Sequence, residues 1–169
     1  MGFVYQKAGL ADLELLVQTR LTTLRAANLL PDSAELREVE RHSRAYYRQA
    51  LENGLHTAYL AFDGADCVAT GGASYFQVMP TVHNPSGWKA YLMNLYTAPA
   101  YRRRGIALEL LRLLVADAHA QGIRSISLEA TGMGRPLYEA FGFVPMEYEM
   151  ELPERFFDRY RPEPAPGIR

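Results

Sequence analysis

The feature that most restricts the fold is an apolar helix that directly follows a strand-like segment. Residues 106–121 read IALELLRLLVADAHAQ and are apolar around most of a helix's circumference, so this helix has to be largely buried. Residues 91–97, YLMNLYT, have the aromatic and apolar side chains of a strand. A strand joined by a short loop to a buried helix predicts a sheet with that helix packed across one face.

The remaining segments alternate between helical and strand periods. A helix that opens at Asp12 has apolar residues at three- and four-residue spacing, namely Leu13, Leu16, Val17, Leu21 and Leu24. The other predicted helices cover 34–51, 106–121 and 135–140, and the predicted strands cover 3–7, 56–62, 66–78, 91–97, 125–130 and 144–152. The order β-α-α-β-β-β-α-β-α-β predicts an α/β (mixed α+β) fold, with a mixed, mostly antiparallel central sheet flanked by helices.

Composition excludes several classes of protein. The chain has 169 residues with 18 Lys+Arg and 19 Asp+Glu, so its charge gives no long-range attraction to nucleic acid or to an anionic membrane. No apolar run reaches the length of a membrane span. One cysteine and no signal-peptide pattern in residues 1–10 favour a reducing, cytoplasmic location.

The length predicts a single domain over residues 1–152, followed by a Pro-rich tail over 153–169. The four histidines show no metal-ligand spacing, and the lone Cys67 excludes a thiolate cluster. We therefore expect no metal site.

The segment 94–107, NLYTAPAYRRRGIA, carries the chemistry. Its loop leads into the start of the apolar helix, whose first N–H groups have no intrahelical partner and carry a partial positive charge. Gly105 tolerates a positive φ and a close approach of ligand to backbone, and Ala107 keeps the next position small. Arg102, Arg103 and Arg104 add forked donors for phosphate. The segment therefore predicts an anion site that suits a pyrophosphate.

Other interpretations of this loop fit less well. A Walker loop needs Gly-Lys-Ser/Thr and a dinucleotide fingerprint needs three glycines, and the loop contains neither. A solvated basic turn is the simplest alternative. A protein that binds RNA phosphates through Arg102, Arg103 and Arg104 is another, although no wider basic stripe accompanies them.

The loop resembles the acyl-CoA motif of the GNAT N-acetyltransferase superfamily. Arg102-x-x-Gly105-x-Ala107 matches the pattern (Gln/Arg)-x-x-Gly-x-(Gly/Ala), and residues 137–143, LYEAFGF, resemble the family's second signature. The similarity extends over about residues 3–152 and is strongest over 91–144. It implies a GNAT-like fold and acetyl-CoA as co-substrate.

The resemblance also implies a set of cofactor contacts. The strand ending at 95–97 would carry a bulge and splay from the strand 125–130, so that its free edge pairs with the pantetheine arm. Backbone N–H groups of residues 103–107 would hold the pyrophosphate, and one near Tyr96 would polarise the thioester carbonyl. The implied cofactor residues are Leu95, Tyr96, Thr97, Arg102, Arg103, Arg104, Gly105, Ile106 and Ala107.

For catalysis, Tyr138 matches the family tyrosine that protonates the leaving thiolate; a core aromatic is the alternative. Glu129 lies on the strand beside the predicted wedge and is our candidate general base, with a surface carboxylate as the alternative. His83 is a weaker candidate for contact with the substrate. Asn94 and Tyr96 share a strand face that can line the acceptor pocket.

The resemblance implies an acetyltransferase that acts on a small-molecule or peptide amine by direct attack in a ternary complex. A non-catalytic acyl-CoA sensor is the alternative function. Arg20 and Arg25 lie off the main leucine stripe of the first helix, where they either meet an acidic group of a substrate or form a solvated face. Sheet edges of this kind can pair between subunits, which makes a homodimer a further expectation.

Overall fold

The computed structural model describes residues 2–155. The strands are Val4–Lys7 (β1), His56–Asp63 (β2), Asp66–Gln77 (β3), Trp88–Thr97 (β4) and Ser125–Leu128 (β5). The helices are Leu13–Ala27 (α1), Arg37–Glu52 (α2), Ile106–Ala120 (α3) and Arg135–Phe141 (α4). Short 3-10 turns at Leu10–Asp12 and Pro99–Tyr101 lead into α1 and into the loop before α3.

The five strands form one sheet in the order β1-β2-β3-β4-β5. The pairs β1–β2, β2–β3 and β3–β4 are antiparallel, and β4–β5 is parallel because α3 carries the chain back across the sheet. The predicted mixed, mostly antiparallel sheet with flanking helices is confirmed.

Helices cover both faces of the sheet, and the core lies in two layers. On one face, Leu110, Leu111 and Leu114 of α3 are almost completely buried against β2, β3 and β4. On the other face, Leu16 and Val17 of α1 pack with Tyr47 of α2 and Leu60 of β2. The apolar circumference of α3 is thus explained by its central position, since a helix across a sheet buries most of its surface.

The predicted last strand over 144–152 is wrong for the described residues, in which no strand follows α4. The apolar side chains that alternate along this segment are exposed, at Val144, Met146, Tyr148, Met150 and Leu152. Alternation predicts a strand only where one face is covered, and Pro145 lacks the N–H that a ladder with β5 needs. The pattern was therefore misleading.

Two further sequence predictions concern the ends of elements. β5 ends at Leu128, so Glu129 follows the strand instead of lying within it. The predicted tail over 153–169 lies outside the described residues, apart from 153–155.

None of the helices in the described part of the chain has the length and hydropathy that crossing a bilayer requires.

Candidate active site

A cleft opens where β4 and β5 part. Their pairing runs from Lys89 opposite Ser125 to Leu92 opposite Leu128 and then stops, while β4 continues for five more residues to Thr97. The β3–β4 register slips between Thr70 and Gly72, and Asn94 has a φ of 56°. Such a bulge bends the strand and increases its twist. The implied bulge and splay are thus present, and the resulting cleft has a volume of about 770 Å³.

The loop before α3 lines one end of this cleft with backbone donors. Arg103 and Gly105 both adopt left-handed conformations, with φ of 59° and 81°. In the described chain, none of the consecutive backbone N–H groups from Arg103 to Leu108 donates a hydrogen bond. Successive N–H groups in such a turn, at the positive end of a helix, form a binding site for an anion.

The three arginines of the loop differ in their placement. The Nε of Arg102 donates to the carbonyl of Thr97 at 3.1 Å, which uses one acceptor on the free edge of β4. The guanidinium of Arg104 lies 5.2 Å from the ring centroid of Tyr101, and Arg104 is absent from the cleft lining. Arg102 and Arg103 line the cleft together with Gly105. Of the predicted cofactor residues, Arg104 is thus the one whose guanidinium lies outside the cleft lining.

Tyr138 on α4 lines the cleft on the side of β5. Its ring packs edge-on against Phe143, with centroids 6.1 Å apart, and also lies against Gly134. Its hydroxyl makes no hydrogen bond to any of residues 2–155. Burial raises the pKa of Tyr138 above its usual value of 10, so the phenol keeps its proton at neutral pH.

Glu129 lines the same cleft just past the end of β5 and is exposed. Burial of Tyr91 on β4, together with the neighbouring Glu129 carboxylate, raises the pKa of the Tyr91 hydroxyl. That hydroxyl thus stays protonated and is able to donate to the carboxylate. Sequence analysis did not single out Tyr91, although it lies on the strand that precedes the motif.

One face of α1 forms another wall of the cleft. Its lining residues recur at helical spacing, namely Arg20, Thr23, Leu24, Ala27 and Asn28. The Nη1 of Arg20 lies 3.5 Å from Oδ1 of Asn94 on β4. The solvated-face interpretation of Arg20 is therefore wrong, because the residue is half-buried at the cleft. The sequence signal for this position was the spacing of Arg20, which follows Leu16 by four residues and Val17 by three and so lies on the same side of the helix.

The other predicted site residues divide into two groups. Six of them line the cleft, namely Asn94, Leu95, Tyr96, Thr97, Ile106 and Ala107, and their contacts with a ligand stay a prediction. His83 is exposed in the β3–β4 loop and is absent from the lining. Arg25 donates from Nη2 to the carbonyl of Ala34 at 3.2 Å and so connects α1 to the segment before α2.

A metal centre has no basis in the described part of the chain. No group of three or more His, Cys, Asp or Glu side chains in residues 2–155 is arranged to hold an ion. His56, the most buried histidine, is surrounded by Tyr46, Tyr47 and Ser74 instead of carboxylates.

The sequence matches the profile of the Acetyltransferase (GNAT) family over residues 23–143. This match includes the loop before α3, the free edge of β4 and α4, and thus most of the cleft. A search of functionally curated proteins finds no match.

Solved structures of acetyltransferases have the same fold. A predicted acetyltransferase with acetyl-CoA from Clostridium acetobutylicum is 29% identical, with a TM-score of 0.84 over 95% of this chain and 100% of that one. A GCN5-related N-acetyltransferase from Ralstonia eutropha is 28% identical, with a TM-score of 0.79 over 91% and 99%. An aminoglycoside acetyltransferase from an uncultured soil metagenomic sample is 22% identical, with a TM-score of 0.70 over 90% and 99%. At that identity the last shows the fold alone.

Proposed function

The chain belongs to the GNAT acetyltransferase family, and from this premise we propose that it acetylates the amine of a small molecule in a ternary complex. Family membership makes it an acyltransferase with acetyl-CoA as co-substrate. The observation that carries the proposal is the run of unpaired N–H groups from Arg103 to Leu108, beside the free edge of β4.

These residues fit acetyl-CoA, which supplies an acetyl group activated as a thioester. The N–H groups of Arg103 to Leu108 suit the pyrophosphate, since they combine backbone donors with the positive end of α3. Beyond Leu92, the edge of β4 that faces β5 has no strand of residues 2–155 beside it, so its backbone groups are free to pair with an extended amide-bearing arm. The Thr97 carbonyl already accepts one hydrogen bond, from Arg102.

We assign two proton transfers to the cleft. The Glu129 carboxylate takes the proton that the acceptor ammonium must lose before its nitrogen can attack. The freed nitrogen then attacks the thioester carbonyl and the C–N bond forms, which gives a tetrahedral intermediate. As this intermediate collapses and the C–S bond breaks, Tyr138 Oη gives its proton to the departing sulfur, and the second proton lost by the attacking nitrogen passes through solvent to restore the phenol. Tyr138 suits the second role because its hydroxyl is protonated and has no partner among the described residues.

We propose a small-molecule acceptor, because the cleft, with a volume of about 770 Å³, has the size of a small-molecule pocket and must also hold acetyl-CoA. A cytoplasmic location accords with the single thiol of Cys67, which a reducing compartment keeps free.

The proposal is tested by calorimetric titration with acetyl-CoA, with ATP as comparison. Gly105→Val places a β-branched residue at a φ of 81° in the loop, at a cost of about 1–3 kcal/mol, and crowds the pyrophosphate. We expect acetyl-CoA to bind more tightly than ATP, and the variant to bind it about tenfold or more weakly.

The matched control is Gly54→Val, which has a similar φ of 67° and open space around it but lies outside the cleft. Its acetyl-CoA affinity should stay within about twofold of wild type. Equal weakening in both variants contradicts the assignment of the loop. Tight binding without amine-dependent release of CoA contradicts the catalytic role and indicates an acyl-CoA sensor.

A further inference from the structure

The charged lining of the cleft is unequal in sign. Among residues 2–155, Arg20, Arg102 and Arg103 line it, against a single carboxylate, that of Glu129. Arg102 and Arg103 belong to the loop that faces the pyrophosphate. Arg20 is on a different element, α1, and its guanidinium faces Asn94 in the bulge of β4, so its charge is available to a different ligand group.

Arg20 lacks a counterion within residues 2–155. None of the ion pairs there includes it, and its one hydrogen bond, to Asn94 Oδ1, is long at 3.5 Å. By contrast, Arg44 on α2 pairs with Glu14 at 2.8 Å and with Glu40 at 3.1 Å. A guanidinium has five N–H donors, so most of those on Arg20 are open to a ligand.

The surroundings of Arg20 make this charge effective. The side chain is half-buried, and its charge acts on the buried Tyr47 hydroxyl of α2, where it partly offsets the rise in the pKa of Tyr47 that burial causes. Leu24 and Ala27 of the same wall are apolar. A half-buried cation beside apolar side chains binds an anion more strongly than one in bulk solvent.

From this arrangement we propose that the acceptor carries an anionic oxygen group, a carboxylate or a phosphate, in addition to its amine, and that Arg20 binds this group. The inference rests on the proposed acetyl transfer to an amine. Glu129, on the segment that follows β5, meets the ammonium, while Arg20, on α1, meets the anion. A polycation finds only one carboxylate among the described residues of this cleft and is disfavoured by the arginines.

The test compares amines that differ in charge, by release of the CoA thiol. One arm sets standard amino acids against their amides, which lack the carboxylate. A second sets O-phosphoethanolamine against ethanolamine, and spermidine represents polycations. In at least one of the first two arms, we expect the anionic amine to have a kcat/KM about tenfold to hundredfold above that of its neutral counterpart, as for a charge-assisted contact.

Variants of Arg20 separate binding of the acceptor from binding of acetyl-CoA. Arg20→Gln should raise KM for the anionic amine about tenfold or more and remove the preference, with acetyl-CoA affinity unchanged. Arg20→Lys should retain part of the preference. Asn94→Asp, which places a carboxylate beside Arg20, should also remove it. Arg37→Gln removes an arginine that is 82% exposed outside the cleft and should change neither quantity.

Three results overturn the inference and leave acetyl transfer to an amine intact. These are equal or better turnover of neutral or polycationic amines, a preference that survives in Arg20→Gln, and a tenfold loss of acetyl-CoA affinity in that variant. If acetyl-CoA binds but no amine of any arm is acetylated, both the inference and the proposed function are wrong.

Discussion

Polar groups lie in two contrasting settings in this molecule, the cleft and the cluster around Asp117 on the α3 face of the sheet. Asp117 accepts hydrogen bonds from Lys7 Nζ at 2.6 Å, Thr57 Oγ1 at 2.6 Å and Tyr75 Oη at 3.2 Å. In the cleft, within the described residues, the Tyr138 hydroxyl and the N–H groups after Arg102 have no such partners. Satisfied groups stabilise the fold, whereas open groups are held for ligands.

The contrast is tested most strongly by removing one hydroxyl from each setting. Tyr138→Phe should lower kcat about a hundredfold or more, because no other described group stands in the proposed role of proton donor. Its acetyl-CoA affinity and its melting temperature should change little. Tyr75→Phe should leave kcat within about twofold of wild type and lower stability by about 1 kcal/mol.

Steady-state kinetics and thermal melts of both variants decide the matter. If Tyr75→Phe impairs turnover as much as Tyr138→Phe, the distinction between the settings fails. Burial holds the pKa of Tyr138 above 10, so the wild-type rate should show no loss from ionisation of this group below pH 10.

His56 on β2 is an exception to the contrast between satisfied polar groups in the fold and open ones in the cleft. It is buried outside the cleft, yet its Nε2 has no hydrogen-bond partner in the described chain. Burial lowers its pKa from 6.5 to about 4. The unfolded chain therefore takes up the proton at a higher pH than the folded chain. Stability is full above pH 6.5 and decreases as the pH falls towards 4, by up to about 3 kcal/mol in total.

Denaturant unfolding at a series of pH values measures this decrease. His56→Gln should remove most of it, while His42→Gln, on the exposed side of α2, should leave it in place. An unfolding free energy that is constant between pH 6.5 and 4 contradicts the assignment of a neutral buried imidazole.

Asp117→Ala tests the satisfied setting directly. It leaves the hydroxyls of Thr57 and Tyr75 without an acceptor, so we expect a loss of about 2 kcal/mol in the free energy of unfolding. Glu109→Ala on the same helix removes a weak 3.5 Å pair with Arg112 and should cost less than about 0.5 kcal/mol. We also expect Asp117→Ala to leave the affinity for acetyl-CoA unchanged. A large loss of that affinity contradicts this expectation.

The smallest effect is expected at Arg104. Its guanidinium rests on Tyr101 and is absent from the cleft lining, so Arg104→Gln should weaken acetyl-CoA binding less than about threefold. Arg103→Gln, which changes a cleft-lining side chain, should weaken it more. Calorimetry that finds the reverse order would place the guanidinium of Arg104 on the ligand.

Local signals in the sequence were sufficient for most of the fold and for the loop that we propose as the anion site. The period of the apolar residues defined α1 and α3, and Asp63-Gly64 marked the turn between β2 and β3. The loop at Gly105 was recognisable because a left-handed residue before a helix needs glycine. Each of these features depends on residues that are close together along the chain.

The placement of groups from distant segments was decided by the tertiary structure. Only the packing of α1 near the bulge in β4 brings Arg20 to Asn94, 74 positions along the chain. Only the splay of β5 from β4 places Glu129 beside Tyr91. The segment after Phe143 stays outside the sheet because no other element covers its alternating apolar side chains within the described residues. Sequence periodicity gives the face of an element, but the partner of that face depends on how the elements pack together.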